Sequence, residues 1–136
     1  MDEREQKFWQ SYHEIEKVVP YSESKFIESR DVFDHTMANI NRCLEVVIET
    51  ARELAKSAGI ESDQSFKGLM WSLGRAGVLK PVLLEDALDV YSILEKRDFT
   101  QAGRSTIYAS LVRIMEVFEA IWKDMERTLR SSTKTN

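Results

Sequence analysis

The chain is poor in the residues that cross-link or interrupt a fold. Its 136 residues include one cysteine, two prolines and five glycines. A single cysteine, Cys43, excludes an internal disulfide framework and a zinc site built from cysteines. So few prolines and glycines predict long regular elements joined by few turns. No apolar run reaches the roughly 18 residues that a membrane span needs.

A strong excess of positive charge is also lacking. The formal net charge is −4 and the pI is about 5.3. Proteins that coat nucleic acids usually carry a basic excess, because neutralising phosphates drives their binding. The acidic start, Met1 to Glu5, lacks the basic region and apolar stretch of a secretory signal. We therefore expect a cytoplasmic protein without a membrane partner.

Apolar residues recur with a helical period along almost the whole chain. The spacing predicts helices over about residues 3–18, from 24 or 30 to 58, over 66–76, over 81–96, and from 105 onward. We therefore predict an all-α fold, a single-domain helical bundle of four to five mostly antiparallel helices. The domain is expected to cover residues 1–130, followed by a frayed polar tail over 131–136.

Local signals mark where these helices begin and end. Pro20 is expected to end the first helix, Gly59 to be a left-handed cap, Gly77 to stop the third helix, and Pro81 to be a first helical residue. Either Ser62 or Asp63 is expected to cap the third helix, and either Ser105 or Thr106 the last one. The candidates for the buried face of the fourth helix are Val82, Leu84, Leu88, Tyr91 and Leu94.

Residues that could support catalysis are scattered. His13 and His35 lack the Glu-x-x-His pairing of a helical di-iron site, so no metal site is predicted. Cys43 lies inside a helical stretch, where cysteine usually behaves as a small hydrophobe. A nucleophile elbow, a P-loop and a dinucleotide fingerprint are all absent. The sequence therefore favours a non-enzymatic role without a cofactor.

One short segment resembles the motif of phosphotransfer domains, His-x-x-Lys-Gly followed by Leu-Gly. Here it reads Gln64-Ser65-Phe66-Lys67-Gly68, with Leu73-Gly74 after it. In that family an exposed histidine accepts the phosphoryl group, and the lysine stabilises its charge. Gln64 stands at the histidine position and cannot be phosphorylated in that way. The resemblance therefore implies a pseudo-phosphotransfer protein that binds a receiver domain through Gln64 and Lys67. The alternative is an ordinary amphipathic helix that buries Phe66, Met70 and Leu73.

The break before the last helix resembles another family. The order of helices over about residues 30–125, with a polar break after the penultimate one, is similar to the HEPN superfamily (higher eukaryotes and prokaryotes nucleotide-binding). Members carry an Arg-polar-x(4–6)-His motif, whose arginine and histidine cut RNA in the active ones. Arg97-Asp98 fits the first half, but Gly103 or Arg104 stands where the histidine is expected. Arg97 and Arg104, with Asp98 beside the first, are thus candidates for contacting a phosphate or an acidic partner, or simply parts of a solvated loop.

Three hypotheses follow. The first is a non-catalytic interaction or adaptor protein on a HEPN-like bundle, with a protein partner. The second is a HEPN-like ribonuclease or nucleotide-binding protein that uses Arg97, Asp98 and Arg104. The third is the pseudo-phosphotransfer protein. A homodimer through leftover apolar surface is a further alternative, with the tryptophans Trp9, Trp71 and Trp122 as candidate anchors.

Overall fold

The computed structural model describes residues 3–61, 65–96, 98 and 100–134, with side chains up to residue 131. Within these ranges the chain forms six helices and no strand. The helices are α1 (Glu3–Glu16), α2 (Glu23–Glu28), α3 (Arg30–Ser57), α4 (Phe66–Arg75), α5 (Pro81–Glu95) and α6 (Gln101–Lys134). The all-helical prediction is confirmed, with six helices rather than four or five.

The extra helix arises from a break at Ser29. This residue is extended (φ −93°, ψ 106°), and its hydroxyl accepts a hydrogen bond from the backbone N–H of Val32 at 3.2 Å. A serine that caps the next helix cannot itself continue the previous one. The two alternative starts predicted for the second helix, residue 24 and residue 30, therefore correspond to two separate helices: α2 begins at Glu23 and α3 at Arg30.

Turn residues set the ends of α3, α4 and α5. Gly59 and Gly77 have φ values of +68° and +78°, as expected for left-handed helix stops. Pro81 is the first residue of α5. The prediction of a cap at Ser62 or Asp63 is wrong, because Ser65 caps α4 by accepting from the N–H of Gly68 at 3.0 Å. Ser62 and Asp63 themselves lie outside the described residues.

The predicted start of the last helix is also wrong. α6 begins at Gln101, before Ser105 and Thr106, because the Thr100 hydroxyl accepts from the Gly103 N–H at 3.0 Å. The first turn of α6 lies ahead of its buried stripe, so the apolar pattern could not reveal it. At the other end α6 continues to Lys134, into the segment expected to be a frayed tail.

Contacts between α1 and its neighbours show antiparallel packing. Near one end of the pair Arg4 forms an ion pair with Glu53 of α3, and near the other Glu14 lies 3.9 Å from His35. Against α6, the hydroxyl of Tyr12 donates to Glu119 at 2.8 Å. α1 therefore runs antiparallel to α3 and packs against both long helices.

The remaining helices complete the bundle. Arg113 of α6 pairs with Asp86 and Asp89 of α5. Phe66 of α4 stacks on Tyr91 of α5 with ring centroids 4.4 Å apart. One continuous core joins all six helices; its largest fully buried side chains include Phe8, Phe26, Phe33, Phe118, Ile15, Ile40, Leu69, Met70 and Ile114.

The buried face of α5 differs from the predicted one. Val82 is 70% exposed, whereas its neighbour Leu83 is buried. Leu84 and Leu94 are buried as predicted, and Leu88 and Tyr91 are half-buried. Ala87 and Val90 complete the buried stripe. α5 is rotated relative to the prediction because its apolar residues cover more than one face.

Candidate functional site

The polar break that resembles the HEPN motif works as the start of α6. The carboxylate of Asp98 accepts hydrogen bonds from the backbone N–H of Thr100, at 2.9 Å, and from its hydroxyl. These two bonds lower the pKa of Asp98 from its ordinary value. Asp98 therefore holds Thr100, and Thr100 caps α6. Arg97, the first residue of the motif, lies outside the described residues.

Gly103, at a position where the family motif places its histidine, has no room for a side chain. A Cβ atom added there would lie under 3.0 Å from both the carboxylate and the backbone carbonyl of Asp98. A contact with backbone cannot be relieved by a rotamer change. Any residue with a side chain at Gly103 would therefore force the Asp98 turn to move.

Arg104 is engaged in packing rather than extended into solvent. Its Nη1 donates to the backbone carbonyl of Ile27 at 2.8 Å, and its guanidinium lies 5.1 Å above the ring centroid of Phe33. Its buried Nε has no hydrogen-bond partner among the described residues. Arg104 thus joins α2, α3 and α6. A role in binding phosphate stays a prediction.

The Thr100 cap gives a direct prediction for stability. Replacing Thr100 with alanine is expected to reduce the free energy of unfolding by about 1 kcal/mol at neutral pH, because the Gly103 N–H loses its acceptor. Thr100→Ser, which keeps the hydroxyl, is the matched control. Urea denaturation of both variants checks this, and equal losses in the two would contradict the cap.

The cap also predicts a pH dependence. Because the folded-state pKa of Asp98 is lowered, its contribution to stability is present above the unfolded pKa of about 4. It is lost as the pH falls through the folded-state value. In Asp98→Asn the free energy of unfolding should therefore fall less as the pH is lowered into the acid range than it does in the unmodified chain. The same fall in both proteins would contradict a stabilising role for the Asp98 carboxylate.

The segment that resembles the phosphotransfer motif lies on α4. Lys67 is exposed and Gly68 is half-buried, whereas Phe66, Met70 and Leu73 point into the core. Gln64 lies outside the described residues. The segment is therefore an amphipathic helix, as the alternative explanation predicted, and Lys67 stands on its solvent side.

The solvent side of α4 has a distinctive composition. Lys67, Trp71 and Arg75 are spaced four residues apart, so they form one stripe, which we name the α4 outer face. All three side chains are exposed, and Trp71 has 53% of its surface in solvent. Lys67 and Trp71 are candidates from the sequence for different reasons, whereas no sequence signal considered above points to Arg75. The spacing Lys-x3-Trp-x3-Arg opposite a buried stripe was the signal that could have joined them.

The other two tryptophans belong to the core. Trp122 is 2% exposed and stacks on Phe8 with ring centroids 5.0 Å apart. Trp9 is half-buried and packs edge-on against Phe8 at 5.1 Å. Trp71 is thus the most exposed of the three tryptophans.

A second surface feature is a shallow groove between α5 and α6. It encloses about 310 Å³ over the apolar side chains of Val82, Leu83 and Ala120. The cations along its α6 side pair with acids on the same helix: Lys123 with Glu119 at 2.7 Å and Arg127 with Asp124 at 3.1 Å. One oxygen of the buried Asp124 has no hydrogen-bond partner among the described residues. The positive charges on the α6 side of this groove are therefore neutralised by acids of the same helix.

The described residues hold no cluster suited to metal binding, since no three of their His, Cys, Asp and Glu side chains converge. Cys43 is buried, and burial raises the pKa of its thiol to about 12, so it is not a thiolate nucleophile near neutral pH. His13 and His35 are exposed and pair with different acids. These groups do not form a shared site.

Among the helices that the structure describes, none has a stretch both long and apolar enough to cross a bilayer. Comparison of the chain with protein-family models, with curated proteins and with solved structures finds no match.

Proposed function

We propose that this chain is a non-catalytic interaction or adaptor protein, built on a HEPN-like helical bundle, that binds a protein partner. The observation that carries the proposal is the α4 outer face, where Trp71 is 53% exposed between Lys67 and Arg75. Tryptophan and arginine are the residue types most enriched among those that dominate binding energy at interfaces. An exposed indole on a rigid helix is a ready anchor for a partner.

The bundle holds this face firmly in place. On its inner side α4 buries Phe66, Leu69 and Met70, each no more than 4% exposed. Phe66 stacks on Tyr91 of α5, and Gly74 lies so close to α5 that an added Cβ would approach Leu84 to 3.1 Å. A helix fixed in this way presents its outer residues in one geometry. Such preorganisation favours binding because little conformational freedom remains to be lost.

Site-specific cross-linking tests the proposal. A photoreactive phenylalanine analogue would replace Trp71 in the full chain, expressed in its native host. We expect a stoichiometric adduct with one other protein, identified by mass spectrometry. The matched control carries the same analogue at Val112 of α6, which is 51% exposed, similar to Trp71, but lies on a different helix.

Three outcomes would contradict the proposal. Equal labelling from positions 71 and 112 would mean nonspecific contact. An adduct with a second copy of the chain would make the α4 outer face a dimer interface instead. No adduct from position 71 would remove the basis for an interaction role at this face.

The exposure of Lys67 favours a second candidate, the pseudo-phosphotransfer protein, which needs that lysine on the surface. This candidate predicts binding to a response-regulator receiver domain that Lys67→Ala weakens. Titration of purified receiver domains against the unmodified chain and this variant distinguishes it. Receiver domains that bind both proteins equally, or neither, would remove it.

A further inference from the structure

Charge and shape at the α4 outer face indicate what kind of partner it fits. We propose that this face binds an acidic polypeptide segment that carries an apolar or aromatic side chain. The inference rests on the proposed interaction role and names the chemistry of its partner. In this arrangement the apolar side chain packs on the indole of Trp71, and carboxylates on either side pair with Lys67 and Arg75.

The charge of α4 differs in sign from that of the chain as a whole. Its ten residues include two cations and no acidic side chain, in a chain whose net charge is −4. Within the described part of the chain, neither Lys67 nor Arg75 forms an ion pair. On α6, by contrast, Lys123, Arg127 and Arg130 each pair with an acid of the same helix. The α4 outer face is therefore a basic site whose charges are not neutralised by described neighbours.

The spacing of the cations fits a short segment. Lys67 and Arg75 are eight positions apart, which corresponds to about 12 Å along the helix axis. In an extended partner at about 3.3 Å per residue, acids about four residues apart match that distance. An acid at each end and an apolar residue between them would meet the cation–aromatic–cation order of the stripe.

The small residues beside the stripe leave its aromatic ring accessible. Gly68 and Gly74 lie on the two flanks of Trp71 on the helix surface, as their positions three residues before and after it require. Neither contributes a side chain that could cover the indole. On the Gly74 side α5 is close, since an added Cβ would approach Leu84 to 3.1 Å, so a partner would reach Trp71 from its solvent-exposed outer side.

Overall charge favours a protein segment over a nucleic acid. Sequence-independent nucleic-acid binding draws its affinity from many phosphate contacts. The stripe offers two cations, and the acidic chain as a whole would repel a polyanion. An acidic peptide with an apolar anchor makes fewer ionic contacts and gains most from burying Trp71.

The test uses charge reversal with a matched control. The first variant carries Lys67→Glu and Arg75→Glu. The control carries Arg52→Glu and Lys56→Glu, two exposed cations spaced four apart on α3, and changes the net charge equally. Each protein is used to select from a displayed library of random twelve-residue peptides, and the enriched peptides are then measured by titration.

The unmodified chain and the control are expected to enrich peptides that combine net negative charge with a large apolar residue. Their affinity should fall at least about tenfold in the α4 variant and weaken as salt is raised. Enriched peptides that are neutral or basic, or that bind the α4 variant equally, would overturn the inference. So would the failure of any peptide to be enriched.

The cross-linking experiment separates the two proposals. If position 71 captures a protein whose yield is the same after charge reversal, the interaction role stands and the acidic partner is wrong. If position 71 captures no protein, the interaction role itself fails. An adduct that disappears on nuclease treatment would identify a nucleic acid and overturn both.

Discussion

Replacing Phe8 with alanine is expected to lower the free energy of unfolding by about 3–5 kcal/mol. Phe8 is fully buried, and its ring stacks on Trp122 of α6 at 5.0 Å and lies edge-on to Trp9 at 5.1 Å. Its backbone carbonyl also accepts a weak hydrogen bond from the thiol of Cys43 in α3 at 3.5 Å. The substitution removes the ring that packs α1 against α6 and leaves a cavity there.

Guanidinium denaturation followed by helical circular dichroism measures the loss. On heating, a loss of this size corresponds to a fall in Tm on the order of 10–20 °C. Val112→Ala, which truncates a side chain that is 51% exposed, is the control and is expected to change stability by less than about 0.5 kcal/mol. A loss below about 1 kcal/mol in Phe8→Ala would mean that α1 does not belong to the cooperative bundle.

Much of the fold could be predicted because its signals are local. The helical period, the left-handed stops at Gly59 and Gly77, and Pro81 at the start of α5 each depend on the conformation of a few neighbouring residues. Such preferences act in the same way whatever the chain packs against. These are the parts of the prediction that the structure confirms.

The parts that failed depend on competition between nearby signals. Ser65 is a later alternative to the two caps predicted for α4, and Thr100 precedes the two predicted for α6. Several serines and threonines in each loop have side chains that can cap, and the tertiary position of the helix selects one. The exposure of Val82 beside the buried Leu83 has the same origin, because neighbouring helices fix the rotation of α5.

The candidate site was visible in the sequence only as separate residues. Lys67 was noticed through a phosphotransfer-like motif and Trp71 as one of three tryptophans. Three tryptophans in amphipathic segments look alike until packing buries Trp122 and leaves Trp71 exposed. Which face of a short helix meets solvent depends on how it packs against α3 and α5, and the residues of α4 alone do not fix that packing.

Replacing Arg104 with alanine is the second large effect we expect, a loss of about 2 kcal/mol in the free energy of unfolding. The substitution leaves the carbonyl of Ile27 without its donor at 2.8 Å and removes the guanidinium that covers the ring of Phe33. Arg104→Lys keeps the charge but not the planar fork, so we expect an intermediate loss.

The control for this prediction is Arg30→Ala. The side chain of Arg30 is 83% exposed and pairs with Asp34, one turn along α3 and 3.5 Å away, so its removal should change stability by less than about 0.5 kcal/mol. Urea denaturation of the three variants compares them directly. If Arg104→Ala keeps the stability of the unmodified chain but abolishes a thermal shift produced by RNA or a nucleotide, Arg104 serves a phosphate ligand. A large loss without ligand instead shows that this arginine, which resembles part of a catalytic motif, joins α2, α3 and α6.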